Sequence, residues 1–595
     1  MKSLIRLALL SLMPSLLWAQ LASISLPIKG VYQGSASGYT GIVLAGQYLG
    51  GASDYRIEYE IMKLDVNTGA ALSTYSSYST IVTNPTYGLY RTTMYLPIGW
   101  YDVVVRAFNI GTGYPETPNR VRFGVGDVYI VAGQSNAQGY PESGTWSLPS
   151  LTTYDGILSH DLNGSCNPGL PEYPVMSSLN GYNRIAPSGN NSWYWLKLGQ
   201  DLQTGFPSGG IPIAFFNASA GGSTSVNWKE SAAGSNTIND YTLAKWCGTG
   251  YSGTAQPYFD FKNSLKFYAS IFGVKAVLWH QGEGDNNADR SKFTTRINYR
   301  TNLSSVIDKS RTDFSSSLRW LVSEASYQGN NPSYMGSPPA VSSDVTLAQN
   351  DVVIPPIDGT DISFKGVITD GLGNGYREAT DKVHFREDRT NALTLVGGLW
   401  KTKIASPSGS YSVIAATSSP TISMTKSGSS WTLTVPSGYP EYRWMNMTSP
   451  NTNTGSGTNI LTGTGSGRYA CLVRNVNGNW NVTQTVYTTG CPGCREGLVE
   501  GREEWNEEEL GISTKAYPVP FVKDFTIEFT IPTESMIRLE LVDIKGSVVK
   551  KLVENIHSKG TYKYPVNGSN ISNGVLFYML YVNDLAITKK VVKVN

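Results

Sequence analysis

Four short stretches hold residue types that can divide an acyl-transfer reaction between them. Gly133-Gln-Ser-Asn136 offers a serine hydroxyl, a weak nucleophile until a base takes its proton. The chain has 4 histidines, His160, His280, His384 and His557. His384 closes Asp381-x-x-His384, a spacing that sets a carboxylate beside an imidazole on one turn. Asp381 would then accept the Nδ1 proton and leave Nε2 as base for Ser135. The attacked carbonyl also needs hydrogen-bond donors for its developing negative charge. Gly221-Gly222 exposes backbone N–H groups with no Cβ in the way, and His280-Gln281-Gly282-Glu283 adds a side-chain amide. His160 and His557 read as surface residues, and His280 as a support at the site. Asp285-Asn-Asn-Ala-Asp289 lacks the length and closing Glu of a calcium loop. No His/Cys cluster suits zinc, so no metal and no cofactor are expected.

Taken together, Gly126-Asp-Val-Tyr-Ile-Val-Ala-Gly-Gln-Ser-Asn136, Gly221-Gly222 with Trp228, Trp279-His-Gln-Gly-Glu-Gly-Asp285 and Asp381-x-x-His384 resemble the SGNH/GDSL-type hydrolases. The branch is the sialate O-acetylesterase-like one, grouped with the family-six carbohydrate esterases, and the resemblance covers residues 126–404. It implies a flavodoxin-like three-layer fold and a metal-independent carboxylic ester hydrolase that removes O-acetyl groups from glycans, of sialic acid or xylan type. Ser135 would be the nucleophile and His384 the base. The N–H groups of Ser135 and Gly222, with the Gln281 amide, would form the oxyanion hole. Asp381 is favoured as third member of the triad, with Glu283 the alternative. Gln134, Asn136, Trp228 and His280 would contact the acetylated glycan.

These residues need a scaffold. Asp127–Ala132 is a short, almost fully apolar run, and 211–216, 274–279 and 318–322 are similar. Helical patterns occupy 193–202, 258–272 and 293–307, the last with Phe293, Ile297, Leu303 and Val306 as one face. A final helix is expected around 391–403. Buried strands alternating with helices imply a parallel sheet covered on both sides. The expected class is therefore multidomain, with a central α/β domain flanked by β-sandwiches.

The remainder of the chain divides by composition. Of 595 residues, 15% are charged and the formal net charge is +2, which gives no footprint for nucleic acid. Lys2 and Arg6 precede an apolar run, Leu7 to Trp18, that ends at Ala19-Gln20, the pattern of a signal peptide over 1–20. No later stretch is long and apolar enough for a membrane span. Residues 21–125 alternate apolar and polar positions between turns, as a β-sandwich does. Residues 405–490 read as a second, Ig-like sandwich, and 491–515 as an acidic linker. Of 5 cysteines, Cys166 and Cys247 are candidates for a bridge, and Cys491-x-x-Cys494 alone is a weak metal signal.

In the last unit, 516–595, Ala516-Tyr-Pro-Val-Pro520, Val542-Asp-Ile-Lys-Gly546, Ser572-Asn-Gly574-Val-Leu-Phe-Tyr578 and Lys589-Lys590-Val591 resemble the C-terminal sorting domain of the type IX secretion system. That implies a Bacteroidetes-type bacterium, export across the outer membrane to the medium or cell surface, and the secretion machinery as a partner. Two alternatives remain for the whole: a non-catalytic glycan-binding or adhesive surface protein, and a lipase or thioesterase on the same fold.

Overall fold

The computed structural model describes residues 22–50, 54–140, 151–162, 164–165, 173–203, 206, 210–244, 246, 255–287, 292–329, 340–353, 363–387, 391–405, 413–447, 453–488, 512–531, 535–543, 548–582 and 585–594. The expected signal peptide, the Cys166–Cys247 bridge, the Cys491-x-x-Cys494 pair and most of the acidic linker lie outside these residues. The described Cys471 is a buried free thiol.

One strand organises the front half of the molecule. Asn119–Gly133 runs for 15 residues. Its first half pairs antiparallel with Gly99–Asn109 and parallel with Gly30–Gln33. Its second half lies between two parallel neighbours, Ile213–Asn217 and Ala276–His280. The change of partners follows the sequence. Arg120 and Arg122 sit in the first half, where Arg122 bonds Asp102 (2.9 Å) and Asp155 (2.6 Å). Beyond Gly126 every residue of the strand is buried. Successive side chains of a strand point to opposite faces. Accordingly Val128 and Ile130 join one apolar cluster, while Tyr129 and Val131 join another.

The sheet built on this strand has 12 strands in mixed orientation. Trp320–Glu324 and Ser363–Ile368 extend it in parallel on one side, Ile157–His160 and then the antiparallel Met176–Ser178 on the other. Tyr55–Leu64 and Ala71–Thr83 belong to the same sheet through Gly99–Asn109. The expected fold class, a self-contained flavodoxin-like α/β domain on a parallel sheet between separate sandwiches, is therefore corrected. Among the described residues the chain is mostly strand, in several sheets, and the largest sheet is mixed. The boundary expected between residues 125 and 126 falls inside one hydrogen-bonded strand.

A second correction concerns the helix near residue 300. Lys292–Phe293 pairs with Asn286–Asn287 instead of opening the helix. The helix is Arg296–Asp313, started by the Thr295 side chain accepting from the N–H of Asn298. Its buried face holds Tyr299, Leu303, Val306 and Ile307, whereas Phe293 and Ile297 are exposed.

Residues 423–487 form two further sheets around Trp431, Leu433, Trp444 and Val473. They are stitched to the front of the chain: Tyr487 donates its N–H to Gln47 Oε1 (2.7 Å), and Gln47 Nε2 donates back to the Tyr487 carbonyl (3.3 Å). Residues 513–593 make two more antiparallel sheets with their own core, including Phe525, Ile527, Leu539 and Leu580. No described helix is long and apolar enough to cross a membrane.

Candidate active site

The site lies at the carboxyl ends of three adjacent parallel strands, Ile213–Asn217, Asn119–Gly133 and Ala276–His280. Open sheets gather ligand-binding loops at such an edge. The central strand ends at Gly133, and a four-residue helix, Ser135–Gln138, begins at once. Ser135 therefore lies two residues past the end of the strand, after Gln134, and is 5% exposed.

The base arrives from far along the chain. Ser135 Oγ donates to Nε2 of His384 at 2.6 Å. Nδ1–H of His384 donates to Asp381 Oδ2. The other Asp381 oxygen accepts from the N–H groups of Val383 (2.8 Å) and His384 (3.1 Å). That turn is not helical: Lys382 has φ 54°, and the carboxylate closes it by accepting two backbone N–H groups. Burial alone would raise the Asp381 pKa. The hydrogen bond and charge of His384, with the two N–H groups, outweigh it and hold the carboxyl below its ordinary value. Ser135, His384 and Asp381 thus stand together, and Glu283 does not touch the imidazole.

Glu283 has a different set of partners. It is fully buried, and its Oε1 accepts from Asn136 Nδ2 (2.8 Å) and lies 3.3 Å from His280 Nε2. Arg377 Nη1 lies 3.9 Å away. Burial pushes its pKa up, but His280, Arg377 and the Asn136 amide outweigh that and bring it down to about 2. The Tyr194 hydroxyl, 2.9 Å from His280 Nδ1, is itself kept protonated by burial, which raises its pKa well above the usual value. The two ring nitrogens of His280 thus face a protonated tyrosine hydroxyl on one side and the Glu283 carboxylate on the other.

Gly222, at φ 75°, occupies the left-handed region that only glycine enters without strain. A Cβ there would come within 2.7 Å of the Asn239 side chain. Asn239 donates to the Gly221 carbonyl (2.9 Å), and the Gly221 N–H donates to Gln138 Oε1 (2.7 Å). These bonds press the glycine pair against the nucleophile: a Cβ on Gly221 would lie 3.4 Å from the Ser135 Cβ. Among the described residues, no acceptor is bonded to the N–H of Ser135 or of Gly222.

Gln281 has its amide committed elsewhere. Nε2 donates to Asp285 Oδ2 at 2.6 Å and faces Gln134 Oε1 and the Ser223 carbonyl at 3.4 Å, while Oε1 accepts from Tyr299 (2.9 Å). Its expected part in the oxyanion hole is corrected: an amide bonded on all sides inside the protein has no donor to offer. Of the four residues expected to contact the glycan, Asn136, Trp228 and His280 have their polar side-chain atoms bonded inside the protein, whereas Gln134 is buried with its Oε1 bonded. Gln134 Oε1 accepts from the N–H groups of Gly282 (3.2 Å) and Gly284 (2.9 Å). Trp228 packs edge-on to Trp279 and donates to Ser223 Oγ (2.9 Å).

Three neighbours of the site have no signal in the sequence. Tyr140 stacks on His384, with ring centroids 4.0 Å apart at 21°. Asn239 braces the glycine pair. Arg377, fully buried between the rings of Tyr327 and Phe385, donates to the carbonyls of Leu372, Thr369 and Val383 beside the base. Each is a lone residue in an unremarkable stretch, and only the fold brings it to the base. No group of three or more His, Cys, Asp or Glu able to hold a metal occurs among the described residues.

Residues 515–594 match the family model described as "Secretion system C-terminal sorting domain". The chain carries a type IX sorting domain and is secreted across the outer membrane to the cell surface or the extracellular space. No curated protein matches the chain. Among solved structures it is similar to a glycosyl hydrolase family 2 member from Bacteroides cellulosilyticus (10% identity, 97% of this chain and 78% of that one, TM-score 0.17). It is similar also to a Bacteroides uniformis beta-glucuronidase (8%, 97% and 80%, TM-score 0.19). A third is a salicylyl-acyltransferase from a tetracycline biosynthetic pathway (9%, 62% and 80%, TM-score 0.23). These are glycoside hydrolases and an acyltransferase where the sequence leads one to expect an ester hydrolase. The expected carboxylic ester hydrolase thus finds no counterpart among these three. TM-scores this low carry no fold or activity of theirs to this chain.

Proposed function

We propose that the chain is a secreted, glycan-acting enzyme of Bacteroidetes type whose reaction is acyl transfer through a covalent intermediate on Ser135. The observation that supports it is the 2.6 Å bond from Ser135 Oγ to His384 Nε2, with Asp381 on the far nitrogen. His384 takes the Ser135 proton as Oγ attacks the acyl carbonyl. The N–H groups of Ser135 and Gly222 are the donors for the resulting oxyanion. The carbon–oxygen bond to the sugar breaks, and the sugar oxygen leaves with the proton from His384. An acceptor hydroxyl then gives its proton to His384 and takes the acyl group from Ser135. Asp381 keeps the imidazole in the tautomer this needs. The acyl donor in this reading is an O-acetylated glycan of the sialic acid or xylan type.

A glycosidic reaction would require a carboxyl that is still protonated at working pH. Glu283 and Asp381 are held low, Glu283 at about 2. Asp285 is raised by burial, but both its oxygens are taken up by Gln281, Ser225 and Thr294 inside the protein.

The test is a panel of O-acetylated glycans and unacetylated glycosides, given to the wild type and to Ser135→Ala. The expected result is loss of acetyl groups from the glycans with the wild type alone, and an acetylated Ser135 peptide by mass spectrometry after rapid quenching. Acetyl loss undiminished in Ser135→Ala, or new reducing ends without acetyl loss, overturns the reading. Binding with no chemistry leaves the adhesive alternative, and turnover of long acyl chains only leaves the lipase one.

A further inference from the structure

Asn136 follows the nucleophile directly, yet none of its surface reaches solvent. Every polar atom of its amide is engaged. One N–H donates to Glu283 Oε1 (2.8 Å) and the other to the Val383 carbonyl (3.1 Å), while Oδ1 accepts from the Phe385 N–H (3.2 Å). Val383 and Phe385 are the two residues that flank His384. One side chain, covalently adjacent to the nucleophile, therefore holds the backbone on both sides of the base. Glu283 fixes that side chain in turn, and Glu283 is backed by His280 and Tyr194.

We propose that Asn136 is a positioning residue that ties Ser135 to His384, and that Glu283 acts through it. This rests on the reading of Ser135 and His384 as nucleophile and base. Asn136 touches neither substrate nor reacting atoms. Its role is geometric: it fixes the Oγ–Nε2 distance against drift of the loop that carries His384. Displacement of a reacting group by about 1 Å costs about 10²-fold in rate. Loss of the Asn136 amide removes the acceptor of the Phe385 N–H, and leaves the Val383 carbonyl to Arg377 alone and Glu283 to His280 and Arg377.

The experiment measures labelling of full-length protein by a fluorophosphonate probe, which reports Ser135 activation without knowledge of the natural substrate. Asn136→Ala is expected to label about 10²-fold more slowly, with half-saturating probe concentration unchanged. Glu283→Gln keeps the shape and removes the charge, and is expected to lose about tenfold. The double variant is expected to be no slower than Asn136→Ala, since both act on one linkage. The acid limb of the labelling rate should stay where the wild type has it, because Asp381 still faces Nδ1, and Ser135 and Tyr140 still flank the ring. Wild-type labelling rates in Asn136→Ala, losses that multiply in the double variant, or a displaced acid limb overturn the proposal. If Asn136→Ala does not fold, Glu283→Gln alone decides: unchanged labelling refutes the linkage. Failure of the wild type to label, or labelling that persists in Ser135→Ala, refutes instead the reading of the nucleophile.

Discussion

Two histidine–carboxylate pairs sit within one site, and both are spaced three residues apart in the chain. Asp381 and His384 have side chains 29% and 14% exposed. His280 and Glu283 have none of their side-chain surface exposed. The first pair reaches a nucleophile, Ser135 Oγ; the second reaches Asn136, one residue further on. Identical functional groups at identical spacing are thus given to different tasks by depth. An imidazole that must accept and return protons needs access to the acyl group, the leaving oxygen and the acceptor. One enclosed between a tyrosine hydroxyl and a carboxylate can only hold its neighbours still.

The sharpest way to break this contrast is to delete each imidazole. His384→Ala is expected to lower acyl transfer by about 10⁵–10⁶-fold with the melting temperature little changed. His280→Ala should do the reverse in emphasis, costing up to about 3–5 kcal/mol of stability by leaving the buried Glu283 to Asn136 and Arg377, measurable by denaturant titration. Equal losses of activity at unchanged stability in both variants would erase the distinction. Next in size is the carboxylate exchange. Asp381→Asn, which favours the wrong tautomer of His384, is expected to cost about 10³–10⁴-fold in kcat, against the tenfold assigned above to Glu283→Gln. A Glu283→Gln loss as large as that of Asp381→Asn would return Glu283 to the triad.

What the sequence made legible follows the distance over which each signal acts. The nucleophile and the Asp381-x-x-His384 turn are local patterns, readable because three residues suffice to bring the groups together. The Asn136 linkage is invisible because its partners lie 147, 247 and 249 residues away. The motif Gln281-Gly-Glu283 was legible as a site element but not in its role, since chemistry of type does not reveal which way a buried amide points. The break expected at Gly126 arose from a real change in composition, from alternating to wholly apolar. The backbone continues through it because glycine there admits a close approach: a Cβ on Gly126 would lie 1.9 Å from the Pro212 carbonyl oxygen. The composition shift coincides with a change of neighbours on the sheet. The sorting domain at the C-terminus was legible from ordered short motifs within 80 residues, with no long-range geometry needed.

Acid separates the pairs in a subtler way. Glu283 is brought from an ordinary 4.5 to about 2 in the folded chain. Between those values the unfolded chain binds more protons than the native one, so stability rises with pH across that window. The contribution of Glu283 is complete above about pH 4.5 and is lost as pH falls towards 2. Glu283→Gln should remove this part of the acid dependence, flattening the plot of unfolding free energy against pH below 4.5. An unchanged slope would mean that the carboxyl is not held charged by His280 and Arg377. Asp381, also lowered but partly exposed, should contribute a shallower slope of the same sign, because solvent screens it.

The smallest effect concerns the aromatic stacked on the outer histidine; the inner one instead meets Tyr194 tilted at 6.0 Å and Phe385 edge-on at 5.8 Å. Tyr140 is 40% exposed and lies with its face on the His384 ring. When His384 holds the Ser135 proton, an aromatic face favours the positive ring by about 0.5–1 kcal/mol at an exposed site. Tyr140→Leu should therefore slow the reaction by about two- to fivefold through kcat, with KM steady, and Tyr140→Phe should restore it. If Phe fails to rescue, the hydroxyl and not the ring face supports the base; if KM rises instead, Tyr140 is a wall for the glycan. In either case the outer histidine would depend on its neighbours for something other than charge, and depth alone would no longer account for the division of labour between the pairs.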